Sequence, residues 1–295
     1  MRKALLCFLL AVALPALSQT VDIGVFTLFK PVELRVSPAF TPILITTNAT
    51  SKILEGRQSF TVRVAQRTAP VRVTSRDGAA ADFHLSIPGK IDRQFHGILT
   101  IRPRGHKLEA VVSIDREIAV ASVVAAEMTP NAPLEALKAQ AVAARSYYAA
   151  AGRRHDTFDF CDTTHCQFLR AWPNPASPAF RAAQETRGIT LEYAGKPLAA
   201  LYSASCGGQT RALADTADGY PYYSVPCDFC RRHAPGIVRG HQLGLCQNGA
   251  AGMAAAGADF QAILDHYFPG TSLAQNRLNA IFLLPVPPPL RHSKD

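Results

Sequence analysis

The stretch AAEMTPNAPLEALKAQAVAAR, from Ala125 to Arg145, decides how the chain is read: a lone acid, a turn, then an amphipathic helix. Just upstream, the run IAVASVVAA from Ile118 to Ala126 spreads its apolar residues around a helix instead of alternating them. That predicts a mostly buried helix stopping near Thr129 and Pro130, with Glu127 at its C-terminus. The negative end of the helix dipole and partial burial both disfavour a carboxylate there, so its pKa is expected to rise, as a general acid requires. Pro133 opens the second helix where its missing N–H costs nothing, and Glu135 suits the first turn. Leu134, Leu137, Ala141, Ala144 and Tyr148 make one apolar face, and Gly152 ends the helix. Pattern alone favours the plainer reading, a helical hairpin with a surface acid.

Outward from this pair of helices the pattern changes. From Val21 to about Ile114 short apolar or alternating runs predict strands at Val21–Phe29, Val32–Val36, Ile43–Thr46, Phe60–Val64, Val71–Val73, Phe83–Ile87, Ile98–Ile101 and Leu108–Ile114. Turn signals at Asp77-Gly78, Pro88-Gly89 and Arg104-Gly105 separate them. His84, His96 and His106 lie in or beside these strands without clustering and are read as surface or satisfied histidines. Downstream, Ala179–Thr186 predicts a short helix, and Ile189–Tyr193 with Pro197–Ser203 a hairpin. A further helical segment runs over Ala251–Ala256 and Phe260–Tyr267. The fold class expected is α+β: a β-rich region over 19–94, a mixed domain over 95–270, and a tail over 271–295 that is Pro-rich and polar from Pro285 and in part disordered.

The chain has 295 residues, 48% of them hydrophobic, and a net charge of +9. Residues 1–18 have the charged, apolar and small-residue regions of a secretory signal, with cleavage expected after Ser18. The apolar run Ala4–Leu17 is shorter than the ~20 residues a membrane helix needs, and no later stretch qualifies. Export to the periplasm or the cell exterior follows. The chain stays basic once Arg2 and Lys3 are gone, which favours cell-wall polymers, anionic lipid surfaces or acidic glycans as partners. No aromatic-plus-basic motif points to nucleic acid. Export also makes disulfides the default for Cys161, Cys166, Cys206, Cys227, Cys230 and Cys246. Cys227 and Cys230 read as a disulfide or as a second metal pair, with Cys206 or Cys246.

Four blocks, in order, carry a resemblance. They are FHGIL from Phe95; VVAAEM from Val123 running on to LEALKAQAVAARSY from Leu134; LYSASCGGQT from Leu201; and GHQLGLCQNGA from Gly240 with ILDHYFPG from Ile263. Together they resemble the stage II sporulation protein D family (SpoIID/LytB), bacterial domains that act on peptidoglycan. The resemblance implies a lytic transglycosylase that cuts the β-1,4 bond between N-acetylmuramic acid and N-acetylglucosamine and leaves a 1,6-anhydro sugar, with Glu127 as catalytic acid and base. It carries substrate contact onto Lys138, Arg145, Gln167, Tyr202, Ser203, Gly207, Gly208, His241 and Gln247. Lys138 and Arg145 also read as a solvated lysine and a structural arginine, and Gly207-Gly208 as a plain turn.

The family's usual Gly-His-Gly-Val-Gly-Met-Ser-Gln is here GHQLGLCQ, keeping His241 and Gln247 but placing Gln242 at a glycine position and Cys246 at a serine position. The resemblance further implies a structural zinc ion held by His155, Cys161 and Cys166, with His165 able to replace His155; a Cys161–Cys166 disulfide is the competing reading. No organic cofactor is expected. A second functional reading is a non-catalytic glycan-binding protein that enhances a cell-wall amidase. A zinc hydrolase is disfavoured because no His-Glu-x-x-His pattern is present.

Overall fold

Residues alternating between core and solvent carry the first part of the chain into strands. The computed structural model describes residues 19–66, 69–170, 172–217 and 219–275. The signal reading at 1–18 and the disordered reading from Pro285 lie outside the described residues. Nine strands come first: β1 (Thr20–Val25), β2 (Glu33–Pro38), β3 (Ile43–Thr46), β4 (Ser51–Leu54), β5 (Phe60–Arg63), β6 (Val71–Thr74), β7 (Ala81–Ile87), β8 (Ile91–Arg104) and β9 (Lys107–Asp115). Strand β4 was not foreseen, because three of its four residues are exposed and leave little apolar signal.

One path of pairing runs β4-β3-β6-β8-β9-β1, and a second runs β5-β2-β7-β8. Both share the long strand β8, whose first half pairs with β7 and whose second half pairs with β9. The switch falls at Gly97, at φ 154°, where a Cβ would meet the Ser113 carbonyl oxygen at 2.5 Å. Only glycine lets the two strands approach that closely. The expected boundary between 94 and 95 falls inside β8, and β1 pairs along its whole length with β9.

Asp115 ends β9 and caps α1 (Arg116–Glu127), its carboxylate accepting from the Glu117 and Ile118 N–H groups. Next come α2 (Leu134–Ala150), the two-residue β10 (Phe160–Cys161), and α3 (Pro178–Glu185), capped by Ser177. The strands β11 (Ile189–Tyr193), β12 (Lys196–Pro197), β13 (Tyr202–Ser203) and β14 (Ser205–Cys206) follow. The chain closes with α4 (Asp228–His233), β15 (Val238–Arg239), β16 (Leu245–Cys246), α5 (Gln247–Ala255), α6 (Phe260–Tyr267) and β17 (Ser272–Gln275). The fold is α+β, as expected.

Three details differ from expectation. Helix α2 does not bury one face but almost all of itself, because α1, α3, α5, α6 and β11 surround it. Its many alanines let those neighbours approach closely. The start of the tail is ordered: β17 pairs antiparallel with β11, so residues 272–275 complete a small sheet. Strand β13 pairs with β16 in parallel, not with β11, which brings the 201–206 and 245–247 stretches side by side. A single core runs from Val21 to Phe268 and joins the strands to the helices.

Candidate active site around Glu127

Helix α1 is buried through most of its length, but Ala125 is exposed and Glu127 half-buried, so the carboxyl emerges where the helix ends. Met128 follows in an extended conformation and breaks the helix. Glu127 Oε1 accepts the Phe168 backbone N–H at 3.0 Å, and the Gln247 side chain also hydrogen-bonds to the carboxyl. Burial raises the Glu127 pKa above the usual carboxylate value, and these two donors only partly offset it.

The surrounding shell is polar and fixed. Gln247, the first residue of α5, donates to Gln140 Oε1 on α2 at 3.3 Å. The Tyr202 hydroxyl donates to Gln167 Oε1 at 2.8 Å, and the Gln167 amide donates to the Ala144 carbonyl at 3.2 Å. Burial, with the Glu127 charge next, pushes the Tyr202 pKa well up, so its hydroxyl stays protonated. The structure thus gathers Glu127, Gln167, Tyr202 and Gln247 from four separate parts of the sequence. Sequence reasoning missed Gln140, whose only signal was a polar residue among the alanines of α2. It also placed Tyr148 merely on an apolar face; burial pushes its pKa up, and the Glu127 charge adds to that.

Among the described residues, none of the other expected contacts hydrogen-bonds to Glu127. Arg145 is 1% exposed, and its guanidinium donates to both Glu117 oxygens and to the Ala183 and Ile189 carbonyls, the pattern of the structural arginine. Lys138 pins α2 to α3, with Nζ 2.8 Å from Glu135 and 2.7 Å from Glu185. At 16% side-chain exposure Lys138 is not the solvated lysine of the plainer reading. Gly207 and Gly208 turn with positive φ against Gly236, Val238 and Arg231, and the Gly208 carbonyl accepts the Cys227 N–H. Ser203 is buried at 6% in β13. His241 is exposed, and its Nδ1 accepts the Leu243 N–H at 3.0 Å. Gln242 adopts φ 64°, the left-handed conformation that explains why glycine is usual at this position.

All six described cysteines are free thiols, so the disulfide default is overturned. Their sulfurs gather in two groups of four potential ligands instead of in pairs. In the first, His155, Cys161, His165 and Cys166 bring one donor atom each to within 4.8 Å of the others. His155 Nε2 lies 3.4 Å and His165 Nδ1 3.5 Å from Cys166 Sγ, and His165 Nδ1 lies 3.9 Å from Cys161 Sγ. Both histidines therefore join the cysteines, where the sequence set them as alternatives. Two nitrogens and two thiols from one short loop suit a tetrahedral metal ion. The same loop runs directly into Gln167 and Phe168, the residues that meet Tyr202 and Glu127. Cavities of about 440 and 320 Å³ lie beside this loop and beside the Arg145–Glu117 pair, and Glu127 lines neither.

Among the described residues no helix is long and apolar enough to cross a membrane. The chain is 34% identical over 136 residues to an uncharacterized protein of Brachyspira hyodysenteriae, a match covering 45% of this chain and 36% of that protein. The chain thus spans about a third of its curated relative's length. Residues 104–193 match the family model described as Stage II sporulation protein, SpoIID. That span holds Glu127, Gln167 and the first group of potential ligands, whereas Tyr202, His241 and Gln247 lie beyond it. Over residues 104–193 the chain is thus similar to the SpoIID family.

Proposed function

We propose that the protein is an exported peptidoglycan lytic transglycosylase that cleaves between N-acetylmuramic acid and N-acetylglucosamine with Glu127 as its only acid–base group. The observation that carries this reading is the solitary carboxyl. Among the described residues no other carboxylate hydrogen-bonds to Glu127 or to the groups that hold it. Two-carboxylate glycosidases need the second acid as nucleophile or as base for water. The muramic acid's own 6-hydroxyl removes that need.

In the proposed reaction protonated Glu127 gives its proton to the glycosidic oxygen as the C1–O4 bond breaks. The resulting carboxylate, held by the Phe168 N–H and Gln247, then takes the proton of the 6-hydroxyl while that oxygen bonds to C1. Glu127 ends protonated and no water is consumed. Tyr202 and Gln167, locked to each other and to α2, are placed to orient the sugar.

The test is digestion of glycan strands stripped of stem peptides, by the unaltered protein and by Glu127→Gln, with products weighed by mass spectrometry. Anhydro ends are expected from the first alone; equal release by both refutes the assignment. A pH profile adds a second check. Because burial raises the Glu127 pKa, the acid form persists to higher pH than in a free carboxyl, and kcat/KM should fall as pH rises through that pKa. A rate that climbs steadily with pH would contradict a general-acid step.

We further propose that His155, Cys161, His165 and Cys166 hold a structural zinc ion. When bound, the ion neutralises the two thiolates and clamps the loop that presents Gln167 and Phe168 to the site. Free zinc at a thousandfold over its Kd stabilises a fold by about 4 kcal/mol. The melting temperature of stripped protein should therefore rise on adding zinc, and rise less in Cys161→Ser. Identical curves for the two proteins would remove zinc from this loop.

A further inference from the structure

Cys206, Cys227, Cys230 and Cys246 lie outside the family match, and all four are buried. They come from distant points: Cys206 closes β14, Cys227 caps α4, Cys230 lies within α4, and Cys246 caps α5. Their sulfurs nevertheless all lie within 4.8 Å of one another, with Cys230 and Cys246 at 3.5 Å. Tetrahedral zinc–thiolate bonds of ~2.3 Å place ligand sulfurs ~3.8 Å apart. Two disulfides would instead draw the sulfurs into separate pairs at ~2.05 Å. In a four-iron cluster each cysteine bonds a different iron, which spreads the sulfurs more widely than one ion does.

Two donors face the sulfurs, and the Ala204 carbonyl lies 4.0 Å from Cys246 Sγ. The Gly249 N–H points at Cys246 Sγ at 3.4 Å, and the Tyr267 hydroxyl donates to Cys227 Sγ at 3.4 Å. Such donors serve thiolates and do little for a disulfide. A Cβ on Gly249 would overlap the Tyr267 hydroxyl and come within 2.5 Å of Cys227 Sγ, so glycine is what lets α5 sit against the cluster. Among the described residues no lysine or arginine hydrogen-bonds to these sulfurs, which leaves a bound cation to balance buried thiolates.

We propose that Cys206, Cys227, Cys230 and Cys246 form a closed structural site for a single zinc ion, separate from the His155–Cys166 group. On binding, each thiol gives its proton to solvent as its sulfur bonds the ion. The ion ties β14, α4 and α5 together, and Cys246 directly precedes Gln247, so it also fixes the side chain that bonds Glu127. The inference stands on sulfur geometry and does not depend on the transglycosylase reading.

The test is elemental analysis of the full chain, produced with zinc present, alongside Cys227→Ser/Cys230→Ser and Cys161→Ser/Cys166→Ser. Each double variant should lose about one zinc per chain relative to the unaltered protein. Should the cysteine variants not fold, the unaltered chain decides. In it, every one of these four thiols should react with alkylating reagent only after chelation under denaturing conditions. Disulfides among the four in non-reducing peptide maps, iron in place of zinc, or zinc content unchanged in the folded Cys227→Ser/Cys230→Ser variant would each overturn the proposal.

Discussion

Arg145→Ala is expected to destabilise the protein by about 3–5 kcal/mol, the cost of leaving one partner of a buried ion pair alone. The Arg145 and Glu117 side chains are 2% and 4% exposed and meet at 2.6 Å. The guanidinium ties α2 to α1 through Glu117, to α3 through the Ala183 carbonyl and to β11 through the Ile189 carbonyl. Glu117 in turn accepts the Gly188 N–H. Removing Arg145 strands a carboxylate and two carbonyls in the core at once. Arg145→Lys should recover little, because one ammonium cannot reach the positions a planar fork does. Replacing Glu117 and Arg145 together by Leu and Met should recover much of the loss, since neither charge is then left unpaired. Urea unfolding measures all three; a loss below about 1 kcal/mol for Arg145→Ala would show that the pair is not the anchor described.

Much of this was legible in the sequence, for identifiable reasons. Alternating residues located eight of the first nine strands, and the dense apolar run before Glu127 located α1 and its end. The left-handed glycines at 78, 89 and 105 fall in the turns their dipeptides signalled. What the sequence could not show was which polar residues meet across long separations. Arg145 and Lys138 fall in the most distinctive block and look like ligand contacts. Their partners Glu117 and Glu185 lie on other helices, and only packing shows that both cations are already paired. Conversely, Gln140 carries no local signal, and Gln167 and Gln247 are marked only by the resemblance, yet α2, the 161–168 loop and α5 bring all three around Glu127. The cysteines were misread for a related reason. Export makes disulfides the ordinary default, but pairing is a matter of geometry, and geometry gathers them in fours.

Glu127→Gln should lower activity by about 10²–10⁴-fold, the usual worth of a positioned acid–base group, while leaving the fold intact. The substituted amide keeps an oxygen for the Phe168 N–H but has no proton to give. A stability signature should accompany the loss. Burial raises the Glu127 pKa in the folded state, so the fold favours the protonated acid. The stability this contributes is fully present below the unfolded-state pKa and is lost as pH rises through the folded-state one. Above that pH Glu127→Gln should melt at the same temperature as the unaltered protein or higher, and the difference should shrink in acid. An active site that becomes more stable as it becomes inactive is the expected pattern for a group kept for chemistry. A variant that is both inactive and markedly less stable would point to a structural role for Glu127 instead.

The most direct test of the central claim is digestion of peptide-free glycan strands in heavy-oxygen water, with the new ends examined by mass spectrometry. If Glu127 acts alone and the sugar's own 6-hydroxyl is the nucleophile, every newly formed muramic end made by the unaltered protein is an anhydro end without label, and Glu127→Gln yields almost none. Labelled reducing ends that depend on Glu127 would contradict the account, because water would then be the nucleophile and a second base would have to exist.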